Sequence, residues 1–155
     1  MQKVVAIVPI GHVRGGRFAP TDDGWDAVTA HLELDPTVLS PEAVLGLDAF
    51  SHIEVVFHFD RAAQSDINPG ARHPRGRKDW PKIGILAQRG KDRPNHIGVT
   101  VCRLLSVDGM SVAVQGLDAI DGTPVLDIKP VMKGFLPRGE IREPQWAREL
   151  MAGYW

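Results

Sequence analysis

Three carboxylates interrupt an otherwise apolar stretch in the second half of the chain. The stretch GLDAIDGTPVLDIKP, residues 116–130, contains Asp118, Asp121 and Asp127 and ends in a Lys-Pro pair. An unpaired carboxylate is costly to bury, so such a group is paired, hydrogen-bonded or pushed toward its neutral form. We therefore expect these aspartates either to form a structural network of ion pairs or to line a binding site.

Basic residues crowd a second stretch, QRGKDRPNHIG at residues 88–98, which includes Arg89, Lys91 and Arg93. Pro94 fixes its own φ and disfavours a helical conformation for the residue before it, which favours a rigid turn. Such a turn could present guanidinium groups to an anion or a carboxylate. The alternatives are a solvated turn with ordinary charges, or structural pairing of these cations with the three aspartates across neighbouring strands.

Four residues could hold a metal ion: His52, His58, Asp60 and His73, of which His58 and Asp60 would share one face of a strand. Their spacing is not diagnostic, and the chain has neither an HExxH motif nor a pair of cysteines, so we expect structural histidines and no metal. The single cysteine, Cys102, lies among apolar strand residues, which predicts a buried thiol and excludes an internal disulfide. One free cysteine is typical of a reducing, cytoplasmic compartment.

Composition is that of a globular protein of one domain. The 155 residues are 43% hydrophobic and 24% charged. The net charge of −1, taken alone, argues against a nucleic-acid binder, but the distribution of the charges is more informative than their sum. No apolar run approaches the roughly 20 residues of a membrane helix, so we expect no membrane partner. The long predicted loop over 60–81 could hold phosphates or be merely solvated, and its basic residues are Arg61, Arg72, Arg75, Arg77 and Lys78.

Alternating apolar residues separated by turn residues predict mostly β structure. The predicted strands cover 3–11, 30–34, 51–59, 82–88, 96–107, 110–116 and 123–128. Asp108-Gly109 predicts a tight hairpin turn, and 13–25 is expected to be a loop. A helix of one or two turns is predicted over 40–50 with Ser40 as its N-cap, and a C-terminal helix after Pro144. One face of that last helix carries Trp146, Ala147, Leu150, Met151 and Tyr154, which is typical of a core or dimer contact.

These elements predict a mainly β fold: a small closed barrel with short helices and a C-terminal helix, in a single domain over residues 1–155. The chain has no glycine-rich nucleotide motif after a strand and no alternating strand-helix pattern, which disfavours a Rossmann-type fold.

Four segments resemble, in the same order, the signatures of the TsaA-like, or TrmO, family. They are the Ile-Gly pair at 10–11 and residues 45–59, 83–101 and 116–130, so that the resemblance covers roughly residues 8–132. The family comprises S-adenosylmethionine-dependent tRNA methyltransferases with a barrel unlike the Rossmann type. The resemblance implies N6-methylation of a threonylcarbamoyl-modified adenosine beside the anticodon, with S-adenosyl-L-methionine as the cofactor. It also implies a homodimer, and the C-terminal domain of longer bacterial relatives is expected to be absent.

The resemblance assigns roles to particular positions. The implied cofactor-binding residues are Arg89, Val99, Gly116, Leu117, Asp118, Ala119, Asp60, Arg61 and the glycine turn at Gly24. Those implied to face the substrate or the dimer partner are Arg93, Asn95, Arg72 and Arg75. We expect Asp121 and Asp127 to be structural, tied to Lys129 or Arg93. No residue is assigned as the catalytic proton acceptor.

Several positions depart from the family pattern. Gln88 and Gly90 flank the arginine where the family has Thr and Ser, His96 replaces a proline, Asp60 stands where histidine is frequent, and Val131 replaces an aromatic residue. Methyl transfer from a sulfonium requires mainly binding, orientation and shielding of two reactants, so the missing catalytic triad is no objection. Two alternatives remain open: the same cofactor with another substrate, and a non-catalytic barrel that binds the cofactor or RNA.

Overall fold

Six strands close into an antiparallel barrel in the computed structural model, which describes residues 1–155. The strands of the chain are β1 (Gly11–Arg14), β2 (Thr29–Leu34), β3 (His52–His58), β4 (Ala71–Arg72), β5 (Ile83–Gly84), β6 (Ile97–Asp108), β7 (Ser111–Gln115) and β8 (Pro124–Pro130). The order around the barrel is β1-β2-β7-β6-β3-β8, and β8 pairs with β1 to close it. The other two strands, β4 and β5, form a separate ribbon. The predicted small closed barrel is thus confirmed.

Helical structure is short and lies outside the barrel. The only α-helix is α1 (Gln145–Met151), which follows Pro144 as predicted. The short helix expected over 40–50 is instead two 3-10 turns, Pro41–Val44 and Leu47–Ala49, and the side chain of Ser40 caps neither. None of the helices has the length and hydropathy needed to cross a membrane.

The core fills the barrel with side chains of alternate strand residues. Ile53, Val55 and Phe57 of β3 are buried, while the residues between them are only half-buried, as the alternating pattern predicted. Other strands contribute Val13, Leu32, Val112, Val114 and Val125, all of them without solvent exposure. Branched side chains dominate because they pack well on a pleated surface.

The predicted first strand over 3–11 is wrong. Residues 1–9 form no regular structure, and β1 begins at Gly11 and runs into the segment that was expected to be a loop. Apolar β-branched residues favour a strand, but a strand also needs a partner, and β8 pairs with β1 only from Gly11 onward. Glycine is required at that point, because a Cβ on Gly11 would lie 2.4 Å from the carbonyl oxygen of Glu33 in β2.

The β4–β5 ribbon and the residues around it differ from the prediction in two ways. Residues 60–81 contain β4 and two 3-10 turns, while the strand predicted over 82–88 shrinks to β5 because β4 offers only two residues to pair with. Arg72 of β4 forms an ion pair with Asp92 at 2.7 Å, and Lys91 lies 3.1 Å from the same carboxylate. This ion pair ties the ribbon to the turn at 88–96.

The ion pair predicts an acid-dependent loss of stability. Burial acts to raise the pKa of the Asp92 carboxyl, but hydrogen bonds from Arg72 and Lys91 outweigh it and hold that pKa below its ordinary value. A lowered folded-state pKa stabilises the protein above the unfolded-state value of about 4, and this stabilisation is lost as the pH falls through the folded-state pKa.

In urea titrations from pH 6 down to pH 3, Asp92→Asn should therefore destabilise the protein at pH 6 and progressively less toward pH 3. Asp22→Asn, at an exposed carboxylate with no ion pair, serves as the control. A deficit of Asp92→Asn that stays constant with pH would contradict this.

Candidate functional site

Part of β6 forms a free edge of the barrel. Residues 97–103 of β6 pair with β3, but β7 pairs with β6 only from Arg103 onward, so residues 97–102 have a strand on one side alone. After β7 the chain turns away at Gly116, whose φ of +82° suits glycine. None of the N–H groups of residues 117–120, and none of the carbonyls of 116–119, forms a hydrogen bond within the protein.

We call residues 97–102 and 116–120 together the open seam. Its two sides are joined by one side-chain hydrogen bond, in which the Thr100 hydroxyl donates to the Asp118 carboxylate at 2.5 Å. Alternate backbone groups of an antiparallel strand point to each side, so those of residues 97–102 that point away from β3 have no strand partner. Backbone N–H and C=O groups seek partners, and the open seam therefore offers donors and acceptors to a ligand.

Asp118 stands between the two sides of the open seam. One carboxylate oxygen accepts from Thr100, and the other accepts from the hydroxyl of Tyr154. Neither partner is basic, so the hypothesis that Asp118 pairs with Arg89 or Arg93 is wrong. Asp118 is half-buried and therefore accessible from solvent.

Arg89 lies against the free edge of β6. Its guanidinium donates a hydrogen bond to the carbonyl of Val99, which uses one of its five N–H groups. No carboxylate forms an ion pair with this exposed side chain, so its positive charge remains available to an anion. The structure thus brings together Arg89, Val99 and the stretch from Gly116 to Ala119, all predicted from the family resemblance.

Of the other three residues predicted for the cofactor, Arg61 and Gly24 bond to segments that border the open seam, and Asp60 does not. Arg61 donates to the carbonyl oxygens of Phe18 and Asp121, at 3.2 and 3.3 Å, and so ties two loops next to the open seam. Asp60 is exposed just after β3, and its carboxylate forms no ion pair with Arg89. Gly24 forms an exposed turn with a φ of +78° and bonds to the C-terminal segment.

The four residues predicted to face the substrate divide into two pairs. Arg72 is held by Asp92, and Arg93 donates to the carbonyl of Gln88 at 2.7 Å, so both support the loops. Arg75 pairs with Asp23 at 2.9 Å beside the Gly24 turn, and Asn95 is exposed with a left-handed φ of +67°. Of the four, Asn95 alone is exposed and forms no side-chain hydrogen bond or ion pair within the protein.

Asp121 and Asp127 have structural partners, as expected. Asp127 pairs with Lys129 at 2.8 Å, which was predicted. Asp121 instead accepts from the backbone N–H of Gly15 at 2.8 Å, a partner that residue-type patterns do not reveal.

The side chains considered for metal binding and nucleophilic catalysis have other surroundings. No group of three or more His, Cys, Asp or Glu residues is arranged to hold a metal ion, and His73 bonds to the carbonyl of Trp80. Burial raises the pKa of the Cys102 thiol to about 12, and the charge of Asp118 adds to this effect. Cys102 is thus a buried, protonated thiol, as predicted.

Sequence patterns did not point to the C-terminal segment as part of the site. Tyr154 reaches Asp118, and burial raises the pKa of its phenol, as do the charge of Asp118 and the hydrogen bond to it. The phenol consequently keeps its proton and acts as a donor. Thr100 was also missed, although a polar residue at an inward-facing strand position is a signal that could have found it.

Comparison with known proteins places the chain among relatives. Residues 18–135 match the family described as the tRNA-methyltransferase O N-terminal domain. The chain is 39% identical over 97 residues to a tRNA (adenine(37)-N6)-methyltransferase of Mus musculus, covering 62% of this chain and 22% of that protein. It is 38% identical over 143 residues to RcsF of Pseudomonas aeruginosa, a protein named as a candidate S-adenosylmethionine-dependent methyltransferase, covering 88% of this chain and 57% of that one.

A solved structure has the same fold. The crystal structure of TrmO from Pseudomonas aeruginosa matches with a TM-score of 0.76 and 28% identity, covering 94% of this chain and 63% of that chain. The chain therefore spans less than two thirds of the length of each of these three proteins. The family match covers most of the barrel and both sides of the open seam. This chain belongs to the family of the tRNA-methyltransferase O N-terminal domain.

Proposed function

We propose that this protein is an S-adenosylmethionine-dependent methyltransferase that binds its cofactor in the open seam. The observation that carries the proposal is the run of unpaired backbone groups over residues 116–120, opposite the free edge of β6 and beside Arg89. The proposed acceptor is N6 of adenosine 37 in tRNA, in its threonylcarbamoyl-modified form.

The residues of the open seam suit the parts of this cofactor. An adenine edge carries both donors and acceptors, which match the backbone N–H and C=O groups of residues 117–119. Ribose hydroxyls are donors that Asp118 could accept beside its present partners, because a carboxylate has about four acceptor sites. The free charge of Arg89 matches the carboxylate of the methionine end, as a charge-assisted hydrogen bond. The donor set therefore fits the cofactor.

The protein's own part in the reaction is binding and orientation. The sulfonium of the cofactor supplies a methyl group that is already activated for displacement by an amine. The chain must hold the acceptor amine in line and exclude water, which accounts for much of the barrier in such reactions. Cys102 and Tyr154 both keep their protons, so neither supplies a nucleophile.

Exposed cations near the open seam support a tRNA substrate. Arg14 and Arg61 are exposed and flank the Asp121-Gly122 turn. Cationic side chains of this kind contact phosphates without reading sequence, and such contacts supply much of nucleic-acid affinity. A net charge of −1 does not oppose this, because the charges are not evenly spread.

A homodimer in the cytoplasm completes the proposal. Val4, Val5, Ile7 and Val8 are 88, 76, 55 and 66% exposed, which is unusual for consecutive apolar residues of one segment. We propose that a second copy of this chain covers residues 2–8. The single buried thiol is compatible with a reducing, cytoplasmic environment.

Cofactor binding tests the proposal directly. In calorimetric titration, the intact protein should bind S-adenosylmethionine saturably, and Arg89→Ala should weaken binding about tenfold or more, since a charged hydrogen bond contributes roughly 1.5–3 kcal/mol. Arg138→Ala removes an exposed arginine outside the open seam and should bind like the parent.

Three outcomes separate the alternatives. Absence of binding to the intact protein would contradict any methyltransferase role. Binding followed by methyl transfer to tRNA that carries threonylcarbamoyladenosine 37 supports the full proposal. Binding without transfer to any tRNA would favour another substrate or a non-catalytic barrel.

Deleting residues 2–8 tests the dimer. The intact protein should have the mass of two chains in light scattering, and the deletion should yield a single chain because the apolar contact is gone. The barrel should survive, since its first backbone bond is that of Ile10 with Val125. Leu45→Ser changes an exposed leucine elsewhere and should leave the mass unchanged. A deletion variant that remains dimeric would contradict the role of this segment.

A further inference from the structure

The C-terminal segment, residues 145–155, is attached to the loops around the open seam at three points. The carbonyl of Gly153 accepts from the N–H of Gly24 at 3.1 Å, and the carbonyl of Tyr154 accepts from the N–H of Trp25 at 2.9 Å. At the other end of the segment, the indole N–H of Trp80 donates to Glu149 at 2.7 Å. The segment is thus fixed along its length rather than at one end.

The anchoring residues belong to the rigid part of the molecule. Trp25 and Trp80 are 3% and 4% exposed, and each has an arginine over its ring, Arg17 at 4.5 Å and Arg77 at 3.9 Å from the ring centre. Indoles buried in this way hold their N–H groups in fixed directions. The indole N–H of Trp25 donates to the carbonyl of Thr21, and this buried ring also fixes the backbone of Trp25, whose N–H donates to Tyr154. The backbone of Tyr154 therefore has a defined position beside the open seam.

The side chain of Tyr154 acts on the functional carboxylate itself. Its hydroxyl donates to one oxygen of Asp118 while Thr100 donates to the other, so the plane of the carboxylate is fixed from both sides. Neither donor carries a charge, and so the carboxylate is oriented without being neutralised by a cation. This arrangement suits a group that must accept further hydrogen bonds from a ligand.

We infer that Tyr154 is a positioning residue of the cofactor site and that the C-terminal segment forms one of its walls. Tyr154 acts through Asp118, which it holds in the orientation that accepts the hydroxyl groups of the adenosyl moiety. This inference rests on the proposed function and extends it to a segment that lies beyond the family match, which ends at residue 135.

A swinging gate is the competing interpretation, in which Tyr154 occupies the place of the cofactor and must leave. The three anchors oppose it, because opening would break the bonds to Trp25 and Trp80 together. Asp118 also need not lose Tyr154 in order to bind a ligand, since each carboxylate oxygen can accept more than one hydrogen bond. The two interpretations predict opposite effects of removing the hydroxyl.

The test is a double-mutant cycle on cofactor affinity and on the kinetics. Tyr154→Phe removes only the hydroxyl, and it should weaken S-adenosylmethionine binding about five- to tenfold, as expected for loss of a bond to a charged group that acts indirectly. KM for the cofactor should rise by the same factor while kcat stays within about twofold, because the interaction affects binding and not the transfer step. In an Asp118→Asn background, Tyr154→Phe should have almost no further effect.

Controls separate positioning from general stability. Ser111→Ala removes a hydrogen bond of 2.7 Å to Glu33 at the far end of β7 and should leave affinity and KM unchanged. Thermal unfolding of each variant reports its folding, and a merely structural role of Tyr154 would give equal losses with and without Asp118.

Each remaining outcome contradicts the inference in a distinct way. If the intact protein binds the cofactor and Tyr154→Phe binds it equally well, the hydroxyl has no positioning role. If Tyr154→Phe binds it more tightly, the segment is a gate. If the intact protein does not bind it, the proposed function fails and this inference fails with it.

Discussion

β6 is twelve residues long and its neighbour β7 is five, and this inequality leaves residues 97–102 without a strand on one side. In an ideal closed barrel every strand has two neighbours, and hydrogen bonds to both of them pair its backbone N–H and C=O groups. Here the chain after Gly116 runs beside β6 without pairing to it, and the Thr100–Asp118 hydrogen bond links the two. Unpaired backbone groups of residues 116–120 therefore lie beside the free edge of β6.

Three segments outside the barrel bond to one another beside the open seam. The turn at Gly24, the β4–β5 ribbon through Arg75 and Trp80, and the C-terminal segment all bond to one another around it. Each of these segments is stabilised mainly by hydrogen bonds and by buried indoles rather than by the barrel core. A site at the open seam would therefore combine rigid barrel strands with loops from distant parts of the chain, and such loops often carry binding residues.

Most of the barrel could be predicted from the sequence, and the reasons differ from one element to the next. β3 alternates strictly and is buried on one face, so its limits were correct to one residue at each end. Residues 3–11 have the composition of a strand, but residues 1–9 have no neighbouring strand to pair with. Composition alone does not show whether a neighbouring strand is present. For the site, the resemblance supplied Arg89 and residues 116–119, which the structure brings together, whereas the bond of Tyr154 to Asp118 spans 36 residues and no local pattern signals it.

Amide chemical shifts would show whether the open seam is the cofactor site, as we propose. Uniformly ¹⁵N-labelled protein would be titrated with S-adenosylmethionine while its ¹H–¹⁵N correlation spectrum is recorded. We expect the largest shifts at the amides of Leu117, Asp118 and Ala119 and along the free edge of β6 at Val99 and Val101, with little change in β1 and β2. Saturable shifts centred elsewhere on the molecule, with those five amides unmoved, would contradict it.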